Sequence, residues 1–249
     1  RRTSEFGDSL KKNETTRKMI LKKTGLVCDP YFSASKMRWM LEQYPKAKQW
    51  ALTGDLALGT VDCFVIWKLT GGESFVTDHT NASRTMLYNL HTGSYDPELL
   101  NLFSIPANTL PEIKPSIGNF GVTKEIPGLP DGIPITGNLG DQQAALFGQN
   151  CVKTGEAKIT FGTGAFLLMN TGENIVEADN GLLTTVAYST PQKRVFALEG
   201  SAFIAGAAVQ FLRDNFGWVK NSAESAELAM SYPRDEEVLF VPSLAGLGA

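Results

Sequence analysis

Ile133-Pro134-Ile135-Thr136-Gly137, followed closely by Gly140-Asp141-Gln142-Gln143-Ala144-Ala145-Leu146-Phe147-Gly148, is the stretch that decides the architecture. A short β-prone run leads through glycine into a helix-prone run that starts at Asp141, a strand feeding a helix. Beyond it, 157–161 and 165–169 are short apolar runs on either side of Gly162-Thr163-Gly164, the pattern of a hairpin. Strands are expected at 182–188 and 195–198, and a small-residue-rich helix at 202–211. The closing run 244–249 reads as a break in mid-structure.

Toward the N-terminus the pattern is helical. Residues 1–25 are polar and helix-prone, ending at Gly25. Residues 31–44 place Met37, Met40, Leu41 and Tyr44 at helical spacing, with Ser33 able to cap the helix and Pro45 stopping it. A more buried helix is expected at 60–70, closed by Gly71-Gly72, and a short one at 97–103 opening on Pro97. Residues 75–77 and 85–88 read as strands, and 106–134 as a proline-rich connector. Mixed strands and helices imply an α/β fold. The change from helix-rich to hairpin-rich near residue 150 predicts two domains, 1–149 and 150–249.

Composition narrows the function classes. The 249 residues are 43% hydrophobic and 20% charged, which excludes a disordered chain. No apolar run reaches the roughly 18–20 residues of a membrane span, so no membrane insertion is expected. The chain opens Arg1-Arg2-Thr3 without Met or an apolar leader, which predicts no signal peptide and a missing true start, while three sparse cysteines fit a cytoplasmic protein. Residues 1–48 are basic, yet no aromatic-interleaved patch or finger spacing supports nucleic-acid binding, and a solvated surface is the plainer reading. Cys28, Cys63 and Cys151 are widely spaced, which argues against a disulfide framework or a zinc site. His79 and His91 have no metal partners at helical spacing, and Asn81-Ala82-Ser83 reads as a chance glycosylation match.

Three places can carry chemistry. Asp141, between a strand end and a helix start, sits where α/β sheets put ligands. The helix N-terminus favours its ionised form, so it can accept a proton from a bound hydroxyl, with Gln142 beside it to hydrogen-bond a polyol. A plain helix cap is the equal alternative. The Gly162-Thr163-Gly164 turn offers close backbone approach and a hydroxyl to an anion, or is ordinary hairpin chemistry. Tyr31, just ahead of its helix, can offer a hydroxyl to a small polar ligand or simply pack. Gly200 and Gly206 suit a flat ring or another backbone lying close. Neither GxxxxGK[ST] nor GxGxxG occurs, so the familiar single-loop nucleotide sites are absent.

Longer stretches carry a resemblance. Residues 31–43 are similar to the first signature of the FGGY carbohydrate kinase family. Gly59-Thr60-Val61-Asp62 through Ile66-Trp67-Lys68-Leu69-Thr70 continue it, as do Val76-Thr77-Asp78 and Thr80-Asn81-Ala82-Ser83-Arg84-Thr85-Met86-Leu87. The run Gly140 to Gly148, Phe161-Gly162-Thr163-Gly164-Ala165-Phe166 with the residues to Gly172, Asn180-Gly181-Leu182-Leu183-Thr184-Thr185 and Ala197-Leu198-Glu199-Gly200 complete it. Within the family the chain resembles the branch that phosphorylates glycerol.

The resemblance implies an actin/hexokinase-like (ribonuclease H-like) pair of α/β domains, both incomplete in this chain, with the polyol on the 1–149 side and nucleotide on the 150–249 side. It implies ATP-dependent phosphorylation of a terminal hydroxyl of glycerol with Mg²⁺, ADP as product, and a homo-oligomer (dimer or tetramer). By position, Asp141 is the catalytic base and a glycerol ligand, with Gln142 in the same ligand role. Tyr31 contacts glycerol, Phe166 forms an apolar wall, Gly162 and Thr163 meet the phosphates, and Gly206 and Gln210 lie near the nucleoside.

Family chains are about twice this long, so residues 1–249 alone are expected to be inactive. Some bacterial members carry a glycine- and lysine-rich loop that binds a sugar bisphosphate, others a phosphorylatable His. Residues 121–131 here contain no His and one Lys, so neither control is expected. The rival readings are a kinase of another polyol or ketose, and a non-catalytic polyol-binding module.

Overall fold

The computed structural model describes residues 2–178, 181–232 and 239; the expected break at 244–249 lies outside them. The helical N-terminal segment is two helices, α1 (Ser4–Lys12) and α2 (Glu14–Thr24). Asn13 between them is extended, and its side chain accepts the Thr16 N–H, so cap chemistry replaces helix continuation there. Gly25 ends α2 at φ 70°, and a Cβ on it would stand 2.4 Å from the Thr184 carbonyl oxygen. Glycine alone therefore lets α2 close on the sheet described below.

Next come α3 (Ser33–Gln43) and α4 (Pro45–Thr53). The expected Ser33 cap is not formed, because Phe32 holds the cap position and Ser33 is already inside the helix. Pro45 stops α3 and opens α4 as its first residue, where a missing N–H leaves no bond unmade. Met37 and Leu41 are buried as the spacing requires, while Met40 and Tyr44 are exposed. Helix α5 (Val61–Leu69) is not the buried helix expected. Only Cys63 and Ile66 are buried, and Val61, Phe64, Val65 and Trp67 face outward. One face alone finds partners, with Ile66 packed against Val76 and Phe120.

β1 (Val76–Asp78) leads directly into the short helix α6 (His79–Ala82). The strand expected at 85–88 is mostly a turn, followed by β2 (Tyr88–Asn89) paired with β3 (Ser94–Tyr95). Ser83 and Thr85 hydroxyls donate back to the Thr80 and Ala82 carbonyls, and Met86 sits at φ 66°. These local bonds override β-propensity. α7 (Pro97–Phe103) forms as expected, capped by Asp96. The 106–134 connector is loop-rich but contributes β4 (Glu112–Lys114), parallel to β1. The strand expected at 133–137 is only two bridges, Ile117 with Gly137 and Val122 with Pro134. Proline has no N–H to extend a ladder.

α8 (Asp141–Gly148) starts where the sequence places it. After it, β5 (Ala157–Phe161), β6 (Ala165–Gly172), β7 (Leu183–Ser189) and β8 (Arg194–Ala202) form an antiparallel sheet of order β5-β6-β8-β7. Strand β8 runs on to Ala202, so the next helix, α9 (Gly206–Asp214), begins later than the 202–211 expected. α10 (Ser222–Ser231), which the sequence reading lacks, follows. Leu146 of α8 packs on Leu168 of β6, and Ala82, Tyr88 and Leu90 pack on Val186 and Phe196.

A polar tie accompanies that join. Arg194 Nη1 donates to the Tyr88 hydroxyl at 3.2 Å, and the same hydroxyl hydrogen-bonds His79 Nδ1 at 2.7 Å. Burial, with Arg194 nearby, holds the His79 pKa down to about 4, so the ring is neutral at pH 7. Cys28, Cys63 and Cys151 are free and buried. Among the described residues no helix is long and apolar enough to cross a membrane.

Candidate active site

The start of α8 is fixed from beneath by a buried carboxylate. Asp78 is fully buried and accepts from the Thr80 N–H (2.9 Å), Thr80 Oγ1 (2.8 Å), the Asn81 N–H (2.9 Å), Asn81 Nδ2 (2.8 Å) and Ser116 Oγ (2.6 Å). Burial pushes its carboxyl pKa up, and the bonds from Ser116, Asn81 and Thr80 pull against that. Having given its proton to Asp78, Thr80 Oγ1 accepts the Gly140 N–H at 2.8 Å. Gln143, buried in the first turn of α8, donates to Thr185 Oγ1 at 3.3 Å. The backbone just before Asp141 is thus tied to β1, and the first turn to β7.

Asp141 is the first residue of α8 and is exposed. Gly140 holds the cap position, and the Asp141 carboxylate accepts the Gln142 N–H at 2.8 Å. The open side of the carboxylate is free to meet a ligand. Gln142 is half-buried, and its Oε1 accepts from Lys158 Nζ, which also donates to Thr160 Oγ1 at 2.9 Å. Lys158 is itself buried; desolvation lowers its pKa, while Glu199 and Asp141 oppose the shift.

Lys158, Leu168, Glu199 and Leu183 are successive register partners across the four strands, so they share one face. Glu199 on that row is buried and paired with Arg84. Arg84 Nη2 donates to Oε1 at 2.9 Å, while Nη1 approaches Oε2 at 2.8 Å as an ion contact without hydrogen-bond alignment. The Arg84 guanidinium lies 5.3 Å from the Phe32 ring centroid, and Phe32 meets the Tyr31 ring edge-on at 5.4 Å. Tyr31 is exposed, its N–H held by Asp29 Oδ1. A chain of contacts therefore runs from Tyr31 through Phe32 and Arg84 to Glu199, on the row that carries Lys158. Phe166, half-buried, pairs with Thr160 and Ser201, two residues from Leu168 and hence on the same face.

The residues expected near nucleotide form a second assembly. Gly206 N–H donates to the Gly162 carbonyl at 3.0 Å, and Ala205 and Ala207 N–H groups donate to the Thr163 carbonyl at 2.8 and 3.2 Å. A Cβ on Gly206 would stand 2.5 Å from the Gly162 oxygen, so glycine is what lets α9 seat on the hairpin turn. Gln210 lies one turn further along α9 and is exposed. The structure brings Gly162, Thr163 and Gly206 into contact; Asp141 and Gln142 stand with Lys158 on the α8 side of the sheet.

The sequence reading did not single out Lys158, Arg84, Glu199, Asp78 or Thr80. A lysine inside the apolar run 157–161 was the one available signal for the first. Among the described residues no group of three or more His, Cys, Asp or Glu could cage a metal ion.

Residues 1–148 match the model of the N-terminal domain of the FGGY family of carbohydrate kinases, and 157–249 match its C-terminal domain. The chain is 54% identical, over its whole length, to half of a glycerol kinase from Bdellovibrio bacteriovorus, and 51% identical to half of one from Alkalilimnicola ehrlichii. A crystal structure of Plasmodium falciparum glycerol kinase with ADP superposes on 93% of this chain and 46% of its own, with a TM-score of 0.88 and 38% identity. A xylulose kinase from Rhodospirillum rubrum superposes on 98% of this chain and 49% of its own, with a TM-score of 0.81 at 20% identity, a likeness of fold. The chain spans about half the length of the curated relatives it matches.

Proposed function

Because the chain belongs to the FGGY family of carbohydrate kinases, with its actin/hexokinase-like two-domain fold, we propose that the protein containing it transfers the γ-phosphoryl group of ATP to a terminal hydroxyl of glycerol, giving sn-glycerol 3-phosphate and ADP. Residues 1–149 supply the polyol side and 150–249 part of the nucleotide side. The observation that carries this reading is Asp141: an exposed carboxylate at the first position of α8, its backbone pinned through Gly140, Thr80 and Asp78.

Phosphoryl transfer asks mainly for positioning and charge neutralisation. Asp141 takes the hydroxyl proton as the oxygen attacks phosphorus, and Gln142 hydrogen-bonds the polyol. Tyr31 adds a hydroxyl, and Phe166 gives the carbon edge an apolar wall. Gly162 and Thr163 approach the phosphates, and Gly206 and Gln210 flank the nucleoside. Mg²⁺ supplies charge neutralisation on the phosphates when bound. With no cage of protein ligands among the described residues, an ion carried by the nucleotide suits this part of the site better than a resident one.

The rival reading is a kinase of another polyol or ketose, so specificity is the test. Initial rates of the protein containing this chain are compared with glycerol, xylulose and gluconate. Glycerol is expected to give a kcat/KM at least about tenfold above the others, the size of a few missing or mismatched polar contacts. A preference for xylulose or gluconate overturns the glycerol assignment and keeps the kinase. Binding of glycerol with no phosphoryl transfer to any of them overturns the kinase.

A further inference from the structure

Strand β5 holds a buried ammonium. Lys158 is the one residue of β5 that is buried, and its hydrogen bonds go to two neutral oxygens, Gln142 Oε1 and Thr160 Oγ1. Charge is offset only at longer range, by Glu199 and Asp141. Keeping a lysine desolvated without a contacting carboxylate costs stability, so the contacts it does make are informative.

A carboxamide has an acceptor end and a donor end, and either can face a ligand. With Oε1 of Gln142 taken by Lys158, the amide N–H₂ is left for whatever lies beside α8. Asp141, next in the chain, offers only acceptors when ionised. The pair then presents one donor and one acceptor side by side, which is what a hydroxyl-bearing ligand requires. Without the ammonium, the amide is free to turn over and offer a second acceptor beside a carboxylate.

We propose that Lys158 is a positioning residue of the polyol site: by holding Gln142 Oε1 it aims the Gln142 amide N–H₂ at a substrate hydroxyl next to the Asp141 carboxylate. This rests on the glycerol kinase reading above and adds to it a residue that acts through Gln142, without touching substrate.

The experiment uses the protein containing this chain and measures KM for glycerol and for ATP in Lys158→Met, Gln142→Ala and the double variant. Lys158→Met is expected to raise the glycerol KM about tenfold, the loss of roughly one hydrogen bond to the ligand, while the ATP KM stays within about twofold. In the Gln142→Ala background the same change is expected to have less than about a twofold effect. Lys158→Arg, which keeps a donor, recovers part of the loss. Equal effects in both backgrounds, or an ATP KM that rises as much as the glycerol KM, overturn the positioning role. Gln142→Glu leaves the lysine in place and replaces the outward donors, so it serves if Lys158→Met does not fold. It too should raise the glycerol KM about tenfold, and an unchanged value overturns the proposal. A parent active on glycerol whose KM is indifferent to these changes removes the role of Lys158 alone; a parent that phosphorylates no polyol removes both readings.

Discussion

Asp141→Asn is expected to lower kcat for glycerol phosphorylation about 10³-fold in the protein containing this chain, the usual order for loss of a general base. The ATP KM should stay within about twofold of the parent, because the change touches the acceptor hydroxyl and not the hairpin turn. Asparagine keeps the volume and the helix start, since the Gly140 N–H is held by Thr80 rather than by Asp141. It cannot take a proton. Steady-state rates at saturating glycerol and ATP decide the matter. A variant within about tenfold of the parent means that the hydroxyl proton leaves by another route, and the base assignment fails.

Asp78→Ala should cost about 3–5 kcal/mol of folding stability. Five hydrogen bonds converge on this fully buried carboxylate, and its removal strands their donors where water does not reach. Thermal and urea unfolding of variant and parent measure the loss. Because Thr80 loses the acceptor that orients its hydroxyl toward Gly140, a loss of catalytic rate is expected alongside the loss of stability. A change below about 1 kcal/mol would show that the network relaxes or fills with water, and that α8 is not pinned through Asp78.

How much of this was legible in the sequence depends on the range of the interactions involved. α7 and α8 are set by near neighbours, Pro97 at a first position and the glycine before Asp141, and both form where expected. The hairpin 157–172 is equally local, with its Gly-Thr-Gly turn between two apolar runs. The strands expected at 85–88 and 133–137 failed for local reasons too: hydroxyls of Ser83 and Thr85 that bond backwards, and a proline without an N–H. The outward apolar face of α5 is different, since composition says that a helix is apolar and not which side finds a partner.

The site divides the same way. Asp141 could be picked out from the helix start that follows Gly140, although the strand expected to feed it is only two bridges, and Gly162 with Gly206 from glycine content. The Arg84–Glu199 pair and the Lys158–Gln142 bond could not, because each depends on register and on α8 docking across the sheet. Lys158 and Glu199 share a face only through the pairing of β5 with β6 and β6 with β8. No spacing along the chain encodes that.

A crystal structure of the protein containing this chain, with glycerol and a non-hydrolysable ATP analogue bound, puts the base assignment to measurement as a distance. An Asp141 carboxylate oxygen is expected within about 3.2 Å of a terminal glycerol hydroxyl, with the γ-phosphorus on that hydroxyl's far side. A glycerol molecule bound in the site with every hydroxyl beyond hydrogen-bond reach of Asp141, and another side chain in that position, would contradict it.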